Sequence, residues 1–248
     1  MSNRLKKLKE EILELADVQK AKRDLSFFKT GKGEYGEGDQ FLGIAVPILR
    51  KLARQYEKEE RDEGSSGGEL AVVEKLLYSK YNEERLLGLM ILSGRFEKAG
   101  GERKKEEEIY DFYLRHIGRV NNWNLVDFSA RSIVGRYLRD KDREILREWG
   151  RTENLWLRRI GIVATHCFIK ENEFEDTLQI AEILLNDKED LIHKAVGWML
   201  REVGKMDEAV LKKFLKKYQK LMPRTMLRYA IERLTVEDKE RFMKGIYR

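Results

Sequence analysis

NEERLLGLMILSGR (residues 82–95), ENLWLRRIGIVATH (153–166), EDLIHKAVGWMLRE (189–202) and MPRTMLRYAIERLT (222–235) are four variants of one pattern. Each opens on a polar cap or a proline, passes a basic residue and sets small residues among large apolar ones. Gly88, Gly161 and Gly197 fall at matching places, and Ala230 or Ile231 takes over in the last copy. A glycine inside a helix costs ~1 kcal/mol relative to alanine. Its recurrence predicts helices that approach one another closely. NNWNLVDFSARSIVGRYL (121–138) fits the series less neatly. The later copies are spaced by roughly the 33–47 residues of two-helix repeats. Such pairs cannot bury an apolar stripe alone. Stacked, they make an all-α solenoid whose second helices line a concave surface.

The composition agrees with long helices bearing solvated outer faces. Of 248 residues only 2 are proline, and 38% are charged. A mean hydropathy of −0.61, with no apolar run near ~18 residues, argues against a membrane span. MSNRLKKLKEEILELADV (1–18) reads as an amphipathic helix of mixed charge, without the apolar centre of an export signal. Cys167 has no cysteine partner, and His116, His166 and His193 lack ligand spacing. Structural or surface roles are expected for the histidines. The expectation is an intracellular protein that needs no metal and no cofactor.

The net charge of +6 is unevenly spread, because residues 201–248 hold 14 Lys/Arg against 7 Asp/Glu. KKFLKKYQK (212–220) is the densest part. Such a run either attracts phosphate backbones without regard to sequence or is a plain solvated helix face.

Gly31, Gly33, Gly36 and Gly38 interrupt any helix in FFKTGKGEYGEGDQFLGI (27–44). The stretch reads as a long loop or a short hairpin, and it lacks the Lys-Ser/Thr of a phosphate loop. Pro47 opens a helix in VPILRKLARQYEKEE (46–60), where its missing N–H costs nothing. RDEGSSGGE (61–69) reads as a flexible connection. One domain is expected over residues 1–248. Residues 1–69 supply N-terminal helices with the glycine-rich loop 30–39, and residues 70–248 supply the stacked repeats.

Trp123, Asp127, Arg159 and Trp198 stand out on three successive helical segments. Trp123 and Asp127 are four apart, one turn from each other on one helix face. Asn121 or Asn122 is a natural N-cap for that helix. Each residue also has a plainer reading. Tryptophan is mostly buried, and Trp149 and Trp156 are assigned to the core. Asp127 can pair with Arg131 at i+4, and Arg158 is as plausible as Arg159.

In these stretches, and in FLGIAVPILRKL (41–52) and MPRTMLRYAIERL (222–234), the sequence resembles the AlkD family of DNA alkylation repair proteins. These are HEAT-like-repeat DNA glycosylases. The similarity runs from about residue 10 to 235. It implies that Trp123 and Asp127 flank a damaged nucleotide, that Trp198 is a second catalytic aromatic, and that Arg159 holds a phosphate. Arg158, Lys194, Arg224, Arg228, Lys212 and Lys213 are expected as further DNA contacts. The family removes N3- and N7-alkylated purines from duplex DNA without inserting the base into a pocket, and acts as a monomer. A cytoplasmic, nucleoid-associated setting follows from that role. Ala45 and Val46 depart from the family, whose active members often carry polar residues there. The insert TGKGEYGEGD (30–39) is another departure.

Three functions therefore compete: a glycosylase releasing cationic alkylpurines, a non-catalytic binder of damaged, bent or branched DNA, and a protein-binding scaffold. The basic C-terminal fifth weighs against the scaffold.

Overall fold

A computed structural model describes residues 3–62 and 70–246. The connection expected at 61–69 lies outside the described residues, apart from Arg61 and Asp62, which finish a helix. The fold is all-α. Among the described residues there is no strand, only an isolated bridge between Gln40 and Tyr81, and no helix is long and apolar enough to cross a membrane. The chain divides into two compact units, Met1–Ser129 and Ala130–Arg248.

The first unit holds α1 (Asn3–Glu14), α2 (Val18–Phe27), α3 (Val46–Asp62), α4 (Leu70–Leu77), α5 (Asn82–Ala99), α6 (Arg103–Arg115) and α7 (Trp123–Ser129). The amphipathic start ends earlier than its apolar pattern suggests. Leu5, Leu8 and Ile12 of α1 are buried, and Asp17 then caps a separate helix by accepting from the N–H groups of Gln19 and Lys20. Those bonds hold the Asp17 carboxyl below the ordinary carboxylate range, the bond from Lys20 foremost. α2 has no fully buried side chain. Its attachment is through backbone: the Asp17 N–H donates to Leu42 O at 2.8 Å. A Cβ on Gly43 would lie 2.2 Å from Asp17 O.

α5 is the centre of this unit. Every residue from Asn82 to Leu92 is buried, and α3, α4, α6 and α7 all pack on it. Glu83, in its first turn, accepts from the backbone N–H groups of Leu42, Gly43 and Ile44 at 2.8–3.3 Å. The FLGI turn is thereby fixed on the N-terminus of α5. Burial pushes the Glu83 carboxyl above its ordinary range, although the three amides pull it down.

The second unit opens with a π-helical stretch, Ala130–Gly135. It continues with α8 (Glu144–Gly150), α9 (Leu155–Ala164), α10 (His166–Ile169), α11 (Glu175–Ile183), α12 (Asp190–Met206), α13 (Glu208–Tyr218), α14 (Arg224–Ile231) and α15 (Val236–Lys244). The repeat reading is visible here as pairs. The first helices α8, α11 and α13 alternate with the second helices α9, α12 and α14. The π-helical stretch packs on α9, α9 on α12, and α12 on α14.

The recurring glycines sit where backbones touch. A Cβ on Gly161 would lie 2.8 Å from Leu146 O, one on Gly197 2.5 Å from both Met226 O and Tyr229 Cβ, and one on Gly88 3.1 Å from Leu76 Cβ. Gly135, inside the stretch that fits the series less neatly, is tighter still, 2.3 Å from Ala164 O. The wide turn there was not legible in the sequence. Trp149 and Trp156, assigned to the core, are half-buried.

Gly197→Ala should therefore lower stability by about 1–3 kcal/mol, because backbone on the facing helix cannot move aside as a side chain can. Gly118, with nothing within 4 Å of an added Cβ, is the control: Gly118→Ala should stay within about 0.5 kcal/mol in urea denaturation.

Candidate functional site

The residues singled out by sequence fall in both units. Trp123 and Asp127 belong to α7 in the first. Arg158, Arg159, Lys194 and Trp198 belong to α9 and α12 in the second.

α7 begins at a buried polar cluster. Asn122 donates through its amide to Asp39 Oδ2 at 2.8 Å, and its side-chain oxygen accepts from the N–H of Trp123 at 2.8 Å. Its main-chain carbonyl accepts from the N–H groups of Leu125 and Val126, which places Asn122 rather than Asn121 at the head of the helix. Asp39 is paired with Arg85 at 2.5 Å and accepts from the Asn82 amide at 3.1 Å. Asn82 and Asn124 exchange two further bonds. Asp39, Asn82, Arg85 and Asn122 are all buried. The glycine-rich loop thus ends in a carboxylate that ties α5 to the N-terminus of α7.

The loop itself is a series of turns, not a hairpin. Gly33 and Gly38 take positive φ angles of 77° and 85°. A Cβ on Gly36 would meet Phe28 O at 2.3 Å and the Asn122 amide nitrogen at 3.3 Å. Only a glycine lets the loop pass between the end of α2 and the start of α7.

Trp123 is half-buried. Phe28 stacks on it, with ring centroids 4.9 Å apart and planes 8° from parallel. Phe41 stacks on Phe28 in turn at 4.6 Å. Phe27 meets Trp123 edge-on at 5.8 Å and is itself 64% exposed. Sequence reading passed over both phenylalanines; the FF pair just before the glycine-rich run was the available signal. Asp127, one turn along α7, is half-buried.

In the second unit, Trp198 is half-buried on α12, beside the glycine that lets α14 approach. The His166 ring lies 6.2 Å away, tilted by 47°. Arg159 is only 5% exposed, and its guanidinium donates to Leu191 O at the start of α12. Its first role is a strap between two second helices. Arg158 is bound at 2.7 Å to Asp187 and donates to Thr152 O at 3.0 Å.

The other basic residues differ in what they offer. Lys194 pairs with Asp190 at 2.7 Å. Lys212, expected to face DNA, bridges Glu208 at 2.7 Å and Asp238 at 2.6 Å. Both carboxylates, Asp238 first, raise its pKa. These ion pairs engage its charge within the protein, between α13 and α15. Lys213, Lys216 and Lys217 are exposed and share the outer face of α13, opposite buried Leu211, Phe214, Leu215 and Tyr218, and Lys220 is exposed just beyond the helix. Arg224 donates to Met243 O at 2.8 Å and remains exposed, as does Arg228. His116 lies between Phe112 O at 2.8 Å and Glu74 at 3.1 Å, and His193 meets Asp187 O at 2.6 Å, so both are structural.

An all-α protein with an aromatic–carboxylate pair on one helix and a lysine face on another has the parts of a nucleic-acid protein. The chain belongs to the DNA alkylation repair enzyme family, whose model matches residues 8–234. The fold is that of a predicted DNA alkylation repair enzyme from Enterococcus faecalis, with a TM-score of 0.69 and 16% identity over 89% of this chain and 97% of that one. It is also similar to AlkD2 from Streptococcus mutans, with a TM-score of 0.52 and 17% identity over 94% of this chain and 98% of that one. No curated protein matches the sequence.

Asp39→Ala leaves the Arg85 guanidinium buried without its carboxylate, held only by the Ser79 and Lys80 carbonyls, which should cost roughly 3–5 kcal/mol in chemical denaturation. A loss below about 1 kcal/mol would mean that Arg85 finds water or another acceptor.

Proposed function

We propose that this protein is a monofunctional DNA glycosylase that releases cationic N3- and N7-alkylated purines from duplex DNA. The observation that carries the reading is Trp123 and Asp127, one turn apart on a helix whose N-terminus is locked by buried hydrogen bonds, in a chain of the alkylation repair family. Trp198 is the second aromatic of the proposal.

The chemistry needs little from the protein. An alkylated purine already carries positive charge and leaves as a neutral base, so no general acid is required. As the bond between C1′ and the base nitrogen breaks, positive charge develops on the deoxyribose. An indole face stabilises such a cation by ~0.5–2 kcal/mol depending on desolvation. Phe28 stacks on one face of Trp123, and the proposal assigns the opposite face to this cation. Water adds to C1′ and loses a proton, which Asp127 accepts, while the carboxylate also opposes the developing charge. The products are the free base, an abasic sugar and one proton. Arg159 is assigned to a phosphate by the family resemblance, and Lys213, Lys216, Lys217, Arg224 and Arg228 attract the backbone. Lys194, paired with Asp190, is a weaker contributor.

A second reading, binding of damaged or bent DNA without excision, is favoured by Ala45 and by Val46, which is 41% exposed at the head of α3 and offers DNA no hydrogen bond.

The wild type should release 7-methylguanine or 3-methyladenine from methylated duplex DNA without added metal, and Asp127→Asn should lower the rate about tenfold or more with DNA affinity nearly unchanged. Release no faster than spontaneous depurination leaves only the binding reading. Reversing Lys213, Lys216 and Lys217 to Glu should flatten the dependence of log affinity on log salt by about 0.9 per lost phosphate contact. Lys212→Ala should leave that slope as it is.

A further inference from the structure

Trp198 has one ring neighbour that the mechanism does not use. His166 opens the short helix α10, which packs against both the π-helical stretch and α12. Its imidazole is half-buried, with the Trp198 indole 6.2 Å away. The charged groups around it come from three directions. Arg131 faces it from the π-helical stretch, Lys170 from just beyond α10, and Glu202 and Lys205 from α12. Glu202, the one acid, is engaged by Lys205 at 2.6 Å and lies 3.9 Å from Lys170. Three cations and one committed carboxylate leave the imidazole in positive surroundings, and it has lost part of its water. Burial first, then Arg131, hold the imidazole below its ordinary value of 6.5. The ring beside Trp198 is therefore neutral at neutral pH.

We propose that His166 is a positioning residue for Trp198, holding the indole with an uncharged ring, and that gain of a proton at Nδ1 or Nε2 disables this plate by setting a cation against it. The consequence for catalysis rests on the glycosylase reading. An indole that serves a developing sugar cation loses its advantage when an imidazolium sits beside it, because two positive charges then share one aromatic group. No bond to substrate is made or broken by His166; the only transfer is a proton from solvent to the ring.

Two readouts separate this inference from the reading it rests on. The first is intrinsic emission titrated from pH 8 to pH 4.5 on the wild type, His166→Gln and Trp198→Phe. An imidazolium quenches a neighbouring indole more strongly than neutral imidazole does. A quenching step centred below the ordinary histidine value of 6.5, lost in both variants, is the expected result. The second is the pH profile of 7-methylguanine release, corrected for spontaneous depurination. The wild type should lose about tenfold in kcat across the same step, His166→Gln should lack that limb, and His166→Lys should stay low even at pH 8. The same quenching step in His166→Gln as in the wild type would overturn the proposal, as would a His166→Lys rate equal to that of His166→Gln at pH 8. A quenching step that depends on His166, with no base release by the wild type, sinks the glycosylase reading and supports the coupling of the two rings.

Discussion

The buried Asp39–Arg85 pair, with Asn82 and Asn122 around it, is the interaction on which the first unit depends. Charges taken out of water must be matched by partners of good geometry, and here the partners come from the end of a glycine-rich loop, the first turns of α5 and the residue before Trp123. Asn122 then passes the constraint on, donating to the carboxylate and accepting from the tryptophan's own N–H. A half-buried indole next to such a lock has little freedom of position. The Glu83 carboxylate does parallel work one residue further along α5, holding the FLGI turn by its amides.

Much of the helical framework was legible because its signals are local. Helix pairs repeat at intervals the sequence displays, and Gly161 and Gly197 interrupt apolar stripes at the points where another backbone passes. Pro47 lies in the first turn of α3, as its chemistry requires. The break at Asp17 was missed because the apolar pattern of α1 runs on past it, while the cap depends on one short side chain.

What could not be read was non-local. Asp39 and Asn122 are 83 positions apart, and nothing in a glycine-rich run shows that its last residue is a buried anion. Phe28 shows no pattern that would name Trp123 as its stacking partner. Lys212 belongs to a lysine run that looks uniform, yet Asp238 from α15 pairs with it, whereas Lys213, Lys216 and Lys217 are exposed. Arg159 is 5% exposed, and the Leu191 carbonyl that it binds belongs to the next second helix. Charge type is written in the sequence, whereas the partner that neutralises it is not.

The attachment of α2 has a consequence for how this protein can change. The helix is moored by main-chain atoms at Asp17, Leu42 and Gly43 and by the aromatic residues at its far end, and none of its own side chains is fully enclosed. Substitutions along its outward faces leave the hydrophobic interior untouched. The surface chemistry of this segment can therefore drift almost independently of folding, provided that the mooring glycine is retained.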